Sequence, residues 1–208
     1  MLKIALVVVA TVFICADTAL AGSVEDVCPR RLLLVGKRYL EVLGNKCYKF
    51  HVYSSSELQY WDAQSRCELN FGNLAMPKTK EINDFLVDAL SKYDITDEVF
   101  IGLDDMNTEG EFRWKDGSKL ETPNFYENFA PGTGISRTKD SRNNDCVTLN
   151  PVTNTWQDID CRRSFLRRIT DFKKERHYIC EYEGENVDAA GSDDAPGAAS
   201  ADTDVVDS

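Results

Sequence analysis

Three carboxylates, Asp104, Asp105 and Glu109, crowd one short turn in Phe100-Ile101-Gly102-Leu103-Asp104-Asp105-Met106-Asn107-Thr108-Glu109-Gly110-Glu111-Phe112-Arg113-Trp114. Oxygen donors gathered this way suit a hard cation such as calcium. The same residues also read as a solvated hairpin turn, and both readings stand on the residues alone. Two short strands must hold the turn in place. Phe100–Leu103 is an apolar run of strand length, and Phe112 and Trp114 resume on one face after Gly110. Lys115-Asp116-Gly117-Ser118 then carries the composition of a tight turn.

The rest of the chain sets the compartment. Residues 1–21 read as a signal peptide: Lys3 starts it, Ile4–Ala16 is a short apolar run, and Ala19-Leu20-Ala21 is a small-residue cleavage site. No later stretch is apolar for the ~18 residues that a membrane span needs. A secreted, extracellular protein is expected. Cys15 leaves with the leader, so seven cysteines become six: Cys28, Cys47, Cys67, Cys146, Cys161 and Cys180. An even count in an oxidising compartment reads as three disulfides, in any of about 15 pairings. Zinc is disfavoured, since no Cys-x-x-Cys occurs and His51 and His177 stand apart.

The formal charge is −11, but it is unevenly placed. Nine acidic and no basic residues lie between Glu181 and Ser208, whereas Gly22–Cys180 holds 25 acidic and 23 basic, a net of −2. The segment 184–208 is dominated by Gly, Ala, Ser and Asp and reads as a disordered acidic tail, leaving 22–183 for one domain.

Within that domain, Cys47–Tyr53 alternates as a strand after the turn Gly44-Asn45. Ser54–Ser56 offers an N-cap for a helix over Glu57–Leu69, whose Tyr60, Ala63 and Cys67 share one face. Thr79 caps a second helix with Ile82, Phe85, Leu86, Ala89 and Leu90 at amphipathic spacing. A long stretch without a regular pattern follows Leu120, of the kind that usually carries function. Cys146–Leu149 and Thr155–Asp158 read as strands around Asn150-Pro151, and His177–Tyr182 as the last strand.

Taken in order, these motifs resemble those of the C-type lectin-like domain family over roughly Cys28–Tyr182. The resemblance is carried by Cys-Pro and Cys-Tyr-Lys-Phe, Gly72-Asn73-Leu74-Ala75, and Phe100-Ile101-Gly102-Leu103 where the family usually begins with Trp. It continues through Gly110-x-Phe112-x-Trp114-x-Asp116-Gly117, Asp145-Cys146-Val147, Trp156-Gln157-Asp158 and Tyr178-Ile179-Cys180-Glu181. It implies an α+β C-type lectin-like fold: two helices, small antiparallel sheets and a long irregular ligand loop region. It also implies the pairing Cys28–Cys47, Cys67–Cys180 and Cys146–Cys161, the first closing an extra N-terminal hairpin.

In sugar-binding members one calcium holds the loop and accepts sugar hydroxyls. At the matching triplet this chain reads Thr133-Gly134-Ile135, Asn144 replaces a glutamate, and of the Trp-Asn-Asp motif only Asp158 keeps the usual ligand. Isoleucine cannot coordinate calcium, so the resemblance implies that the usual calcium-bridged sugar site is missing. An auxiliary calcium site fares better: its ligands fall on Asp105, Glu109 and Asp145, with Asn144 for a shared glutamate. Calcium is therefore expected at most weakly, with Asp105, Glu109, Asn144, Asp145 and Asp158 as candidate metal residues.

Two departures add cations. Thr133–Asn144 is longer than is typical and carries Arg137, Lys139 and Arg142. The Cys161–Cys180 connection carries Arg162, Arg163, Arg167, Arg168, Lys173, Lys174 and Arg176, with Phe165, Leu166, Ile169 and Phe172 spaced as on a short amphipathic helix. Arginine forks suit sulfate and carboxylate groups, so this insertion is a candidate ligand surface for anionic glycans, open to competition from the acidic tail. No nucleophile with its base and no phosphate-cradling loop stands out, so an enzyme is not expected. The leading reading is a secreted carbohydrate-binding lectin with a degenerate calcium and sugar site, in a role such as innate recognition. The alternative is a matrix or mineral-associated protein that binds polyanions or proteins through its basic insertion and acidic tail.

Overall fold

The computed structural model describes residues 22–52, 59–120, 126–134, 144–161 and 177–185. The leader over 1–21, the Ser54–Ser56 cap, the loop cations Arg137, Lys139 and Arg142, the insertion 162–176 and the tail beyond Glu185 lie outside the described residues. Among those described, no helix is long and apolar enough to cross a membrane.

The two helices read from the sequence are α3 (Tyr60–Glu68) and α4 (Lys80–Lys92). In α3 the face of Tyr60, Ala63 and Cys67 is wholly buried. Its first turn is closed by the Gln59 amide, which donates to the Asp62 carboxylate at 3.2 Å. The Thr79 hydroxyl caps α4 by accepting from the Ile82 amide at 3.2 Å. That helix buries Leu86, Ala89 and Leu90 as its spacing predicts, and also Asn83, which the apolar pattern does not pick out. Two shorter helices precede them, α1 (Val24–Val27) and α2 (Arg30–Val35), where the resemblance implies only a hairpin. The Ser23 hydroxyl starts the first by accepting from the Asp26 amide.

The strands are β1 (Leu40–Leu43), β2 (Lys46–His51), β3 (Asn73–Leu74), β4 (Val99–Asp104), β5 (Arg113–Trp114), β6 (Cys146–Asn150), β7 (Thr155–Ile159) and β8 (His177–Glu183). The expected small sheets join into one hydrogen-bonded network, β1-β2-β8-β4-β6-β7, with β3 on β8 and β5 on β4. The join is a parallel pair, Val99↔His177 and Phe100↔Tyr178, among otherwise antiparallel partners. Because β4 has neighbours on both edges and packing on both faces, all six of its residues are buried. Gly102 is required there, since a Cβ would run into the Leu74 carbonyl oxygen.

The core divides in two. One half gathers Ile101, Leu103, Phe112, Trp114, Val147, Trp156 and Ile179 with α4. The other gathers Tyr60, Phe100, Tyr178 and Tyr182 with all six cysteines. The three disulfides are Cys28–Cys47, Cys67–Cys180 and Cys146–Cys161, as the resemblance implies.

Candidate functional site

The acidic turn sits where β4 ends. Asp104, the last residue of that strand, is buried and accepts from Lys115 Nζ at 2.7 Å and from the Tyr60 hydroxyl at 3.3 Å. Lys115 also stands 4.8 Å from the centre of the Tyr60 ring. Burial, and then the Asp104 charge, push the Tyr60 phenol well above its ordinary range, so it stays a donor. Asp104 is thus neutralised from inside the protein. Asp105 is 2% exposed, and its Oδ2 accepts from the Gly110 amide at 2.9 Å, closing the turn from within. Its own amide donates to the Asp145 carbonyl at 3.0 Å, which ties the turn to the start of β6.

Asp105, Asn144 and Asp145 are therefore neighbours in the fold, while Glu109 lies exposed further round the turn. Asp158 is not part of this group. It lies on β7 opposite Val147, is buried, and its Oδ1 accepts from the Gly134 amide at 2.9 Å. Among the described residues no group of three or more His, Cys, Asp or Glu side chains could hold a metal ion. Of the five candidate metal residues, Asp105, Asn144 and Asp145 lie side by side, Glu109 is further round the turn, and Asp158 is on β7. One oxygen of Asp105 and one of Asp158 each accept from a backbone N–H group.

The loop over 126–134 is anchored by contacts that sequence patterns alone do not disclose. The Trp156 amide donates to the Asn128 carbonyl at 2.7 Å, and the Ala130 amide donates to the Trp156 carbonyl at 2.8 Å, so the loop makes a single parallel bridge, Phe129↔Trp156, to β7. Trp156 is fully buried and meets the rings of Trp114, Tyr126 and Phe129 edge-on at 5.6–5.7 Å. Its indole Nε1 donates to Asn83 Oδ1 at 2.8 Å, and Asn83 Nδ2 donates to Asn154 Oδ1 at 2.6 Å. Asn128 Nδ2 completes the chain by donating to the Asn154 carbonyl at 2.6 Å. Three asparagines from α4, the β6–β7 turn and the loop thereby hold one another.

Gly134 ends this anchored stretch at φ 56, packed so closely on Phe129 that a Cβ would enter its ring. A left-handed, close-packed position explains why glycine stands where the family usually has proline. The proposed ligand cations Arg162, Arg163, Arg167, Arg168, Lys173 and Lys174 lie outside the described residues.

Against known proteins, the family profile described as Lectin C-type domain matches residues 56–167. Collectin-10 of Xenopus tropicalis is 30% identical over 134 residues, covering 64% of this chain and 42% of the relative. The chain spans less than half the length of the collectins it matches. Among solved structures, the mouse scavenger receptor C-type lectin carbohydrate-recognition domain aligns with a TM-score of 0.53. The identity is 23%, over 71% of this chain and 98% of that one. A calcium-independent type II antifreeze protein aligns with a TM-score of 0.51 at 18% identity, over 71% and 94%.

Proposed function

Because the chain belongs to the C-type lectin domain family, we propose that it is a secreted, non-enzymatic recognition protein that binds glycans on its long-loop face without a calcium bridge. The observation that carries this reading is the Asp158–Gly134 contact. Asp158 matches the one family ligand of the sugar-bridging calcium that this chain keeps, and here its oxygen accepts from a backbone amide instead. An N–H group brings a partial positive charge to the carboxylate without adding an open coordination position for a sugar hydroxyl. Sugar must then be held by direct hydrogen bonds and by charge.

The cations of the Cys161–Cys180 connection point to sulfated or carboxylated glycans as the preferred class, since guanidinium groups bind such anions bidentately. Secretion is supported by the leader-like first 21 residues and by three disulfides, which persist in oxidising compartments.

A glycan array probed with and without chelator tests the reading. Binding to anionic glycans that survives chelation and weakens with salt is expected, because exposed charges are screened beyond ~8 Å at physiological ionic strength. The double change Arg167→Ala with Arg168→Ala should lower the salt needed for elution from heparin. Retention on mannose resin that is released by chelator would refute the calcium-free reading.

A further inference from the structure

At the end of α4 the Ile95 amide donates to the Leu90 carbonyl at 2.9 Å and the Asp94 amide to the Ser91 carbonyl at 3.1 Å. This is the paired closure in which a helix stops through one left-handed residue, usually glycine. Here that residue is Asp94, at φ 56. Aspartate tolerates the conformation better than most side chains, but its charge is misplaced, because the C-terminal end of a helix is itself partially negative. Among the described residues neither a hydrogen bond nor an ion pair meets the Asp94 carboxylate. Lys92, the one cation between Asp88 and Glu98, is paired with Glu41 instead, while Asp88, Asp94, Asp97 and Glu98 make that stretch acidic.

Asp94 lines a cavity of about 200 Å³ between this helix end and the β6–β7 turn. Ser91 and Thr96 bring hydroxyls to it, and Ile95, Pro151 and Val152 give it an apolar side. Ile95 is buried and forms part of the core. Val152 is 71% exposed yet held in place, because its amide and that of Thr153 both donate to Asn150 Oδ1, at 3.0 and 3.1 Å. The cavity lies at the far end of the β6–β7 hairpin from Asp158, which pairs with Val147. It is therefore separate from the contact on which the glycan reading rests.

Size, exposure and charge select the occupant. Sites for whole small molecules begin at about 300 Å³, so this cavity suits a single side chain. Its rim residues Ser91, Asp94 and Thr96 are exposed, which admits a side chain still attached to its own backbone. An anion would face Asp94 and the helix end unfavourably, whereas a cation relieves both. The carboxylate and two hydroxyls supply acceptors for the three donors of an ammonium, and the apolar side supplies packing for an alkyl stem. We infer that this cavity receives a lysine side chain of a protein partner, its ammonium against Asp94, Ser91 and Thr96 and its methylenes over Ile95, Pro151 and Val152.

An NMR titration of the full chain tests this with butylammonium, with lysine blocked at both backbone ends, and with equally blocked norleucine and arginine. Butylammonium and blocked lysine are expected to shift the Ser91, Thr96 and Val152 amide signals, and the uncharged norleucine to leave them in place. Asp94→Asn keeps the shape and the tolerance of positive φ, and should weaken both amines about tenfold, the worth of one charge-assisted hydrogen bond. Asp94→Gly relieves both the backbone and the helix end, so it should raise the Tm while abolishing amine binding. That pair of opposite changes separates a ligand role from a structural one. An equal response to norleucine, a tighter response to arginine, or amine binding unchanged in Asp94→Asn would overturn the inference. So would a site that takes butylammonium but refuses blocked lysine, because its ligand would then be a free amine.

Discussion

His51 lies flat on Tyr178, ring centres 4.3 Å apart, at the end of β2. Burial, and then the charges of Lys49 and Arg66, hold its imidazole down to about 4. An unfolded chain takes up that proton near pH 6.5, so between about 6.5 and 4 the unfolded state binds more protons than the folded one. The stability tied to neutral His51 is present above that window and lost as pH falls through it. His51→Phe, which keeps a ring against Tyr178, should reduce the drop in Tm between pH 7 and pH 4.5; equal slopes in the two proteins would exclude the mechanism. Asp105 makes a second prediction at this scale. Since its Oδ2 closes the turn by accepting from Gly110, Asp105→Ala should destabilise the fold by about 1–2 kcal/mol with or without calcium. Denaturant titrations in calcium and in chelator check this, and a loss confined to the calcium series would instead support a metal at this turn.

Among the elements, α4 reaches beyond its own packing. Its apolar stripe docks it on the sheet, but Asn83 passes its order on to the loop through Trp156 and Asn154. Asn83→Leu has nearly the right shape yet leaves the buried indole N–H without its acceptor and takes away the donor nearest Asn154 Oδ1. A loss of about 2–3 kcal/mol is expected by chemical denaturation, together with faster amide exchange over 126–134. Gly134→Ala acts on the same loop from its other end. A left-handed alanine pressed against Phe129 should cost about 2–3 kcal/mol and shift the tryptophan fluorescence of the Trp114–Trp156 cluster. If both variants left glycan binding intact, the loop would not be the ligand face.

At the scale of the whole molecule, the disulfides are unequal. Cys67–Cys180 joins α3 to β8 across 113 residues, and on the chain-entropy account that closure contributes about 5 kcal/mol. Cys28–Cys47 closes only 19 residues and contributes about 3 kcal/mol. Replacing Cys67 and Cys180 by alanine should abolish recovery of folded protein, whereas the Cys28 and Cys47 pair should lower the denaturation midpoint and leave a folded domain. Beside the longer bridge, Glu181 on β8 accepts from Lys46 Nζ and from the Met76 amide, each at 2.8 Å, linking β2, β8 and the segment after β3. Burial raises the Glu181 carboxyl, and the Lys46 and Met76 donors offset that penalty only in part.

Local pattern was enough for whatever depends on neighbours in the chain. The Thr79 cap, the α4 stripe, the buried α3 face and the β4–β5 and β6–β7 pairs all follow from short-range propensity and periodic burial, which a linear sequence carries in full. The order of motifs added the disulfide pairing, which spacing could not have chosen. Contacts between distant segments were a different matter. Nothing in the pattern around Asn83 pairs it with Trp156, and nothing around Asp158 says that its oxygen would be met by the Gly134 amide rather than by an ion. The acidic turn shows the same limit, because a carboxylate's role depends on which donor reaches it first. For Asp104 that donor is Lys115 from beyond the next strand, and for Asp105 it is an amide five residues on. Residue types set what chemistry was available, and the tertiary approach of donors to acceptors decided which of it remained for a ligand.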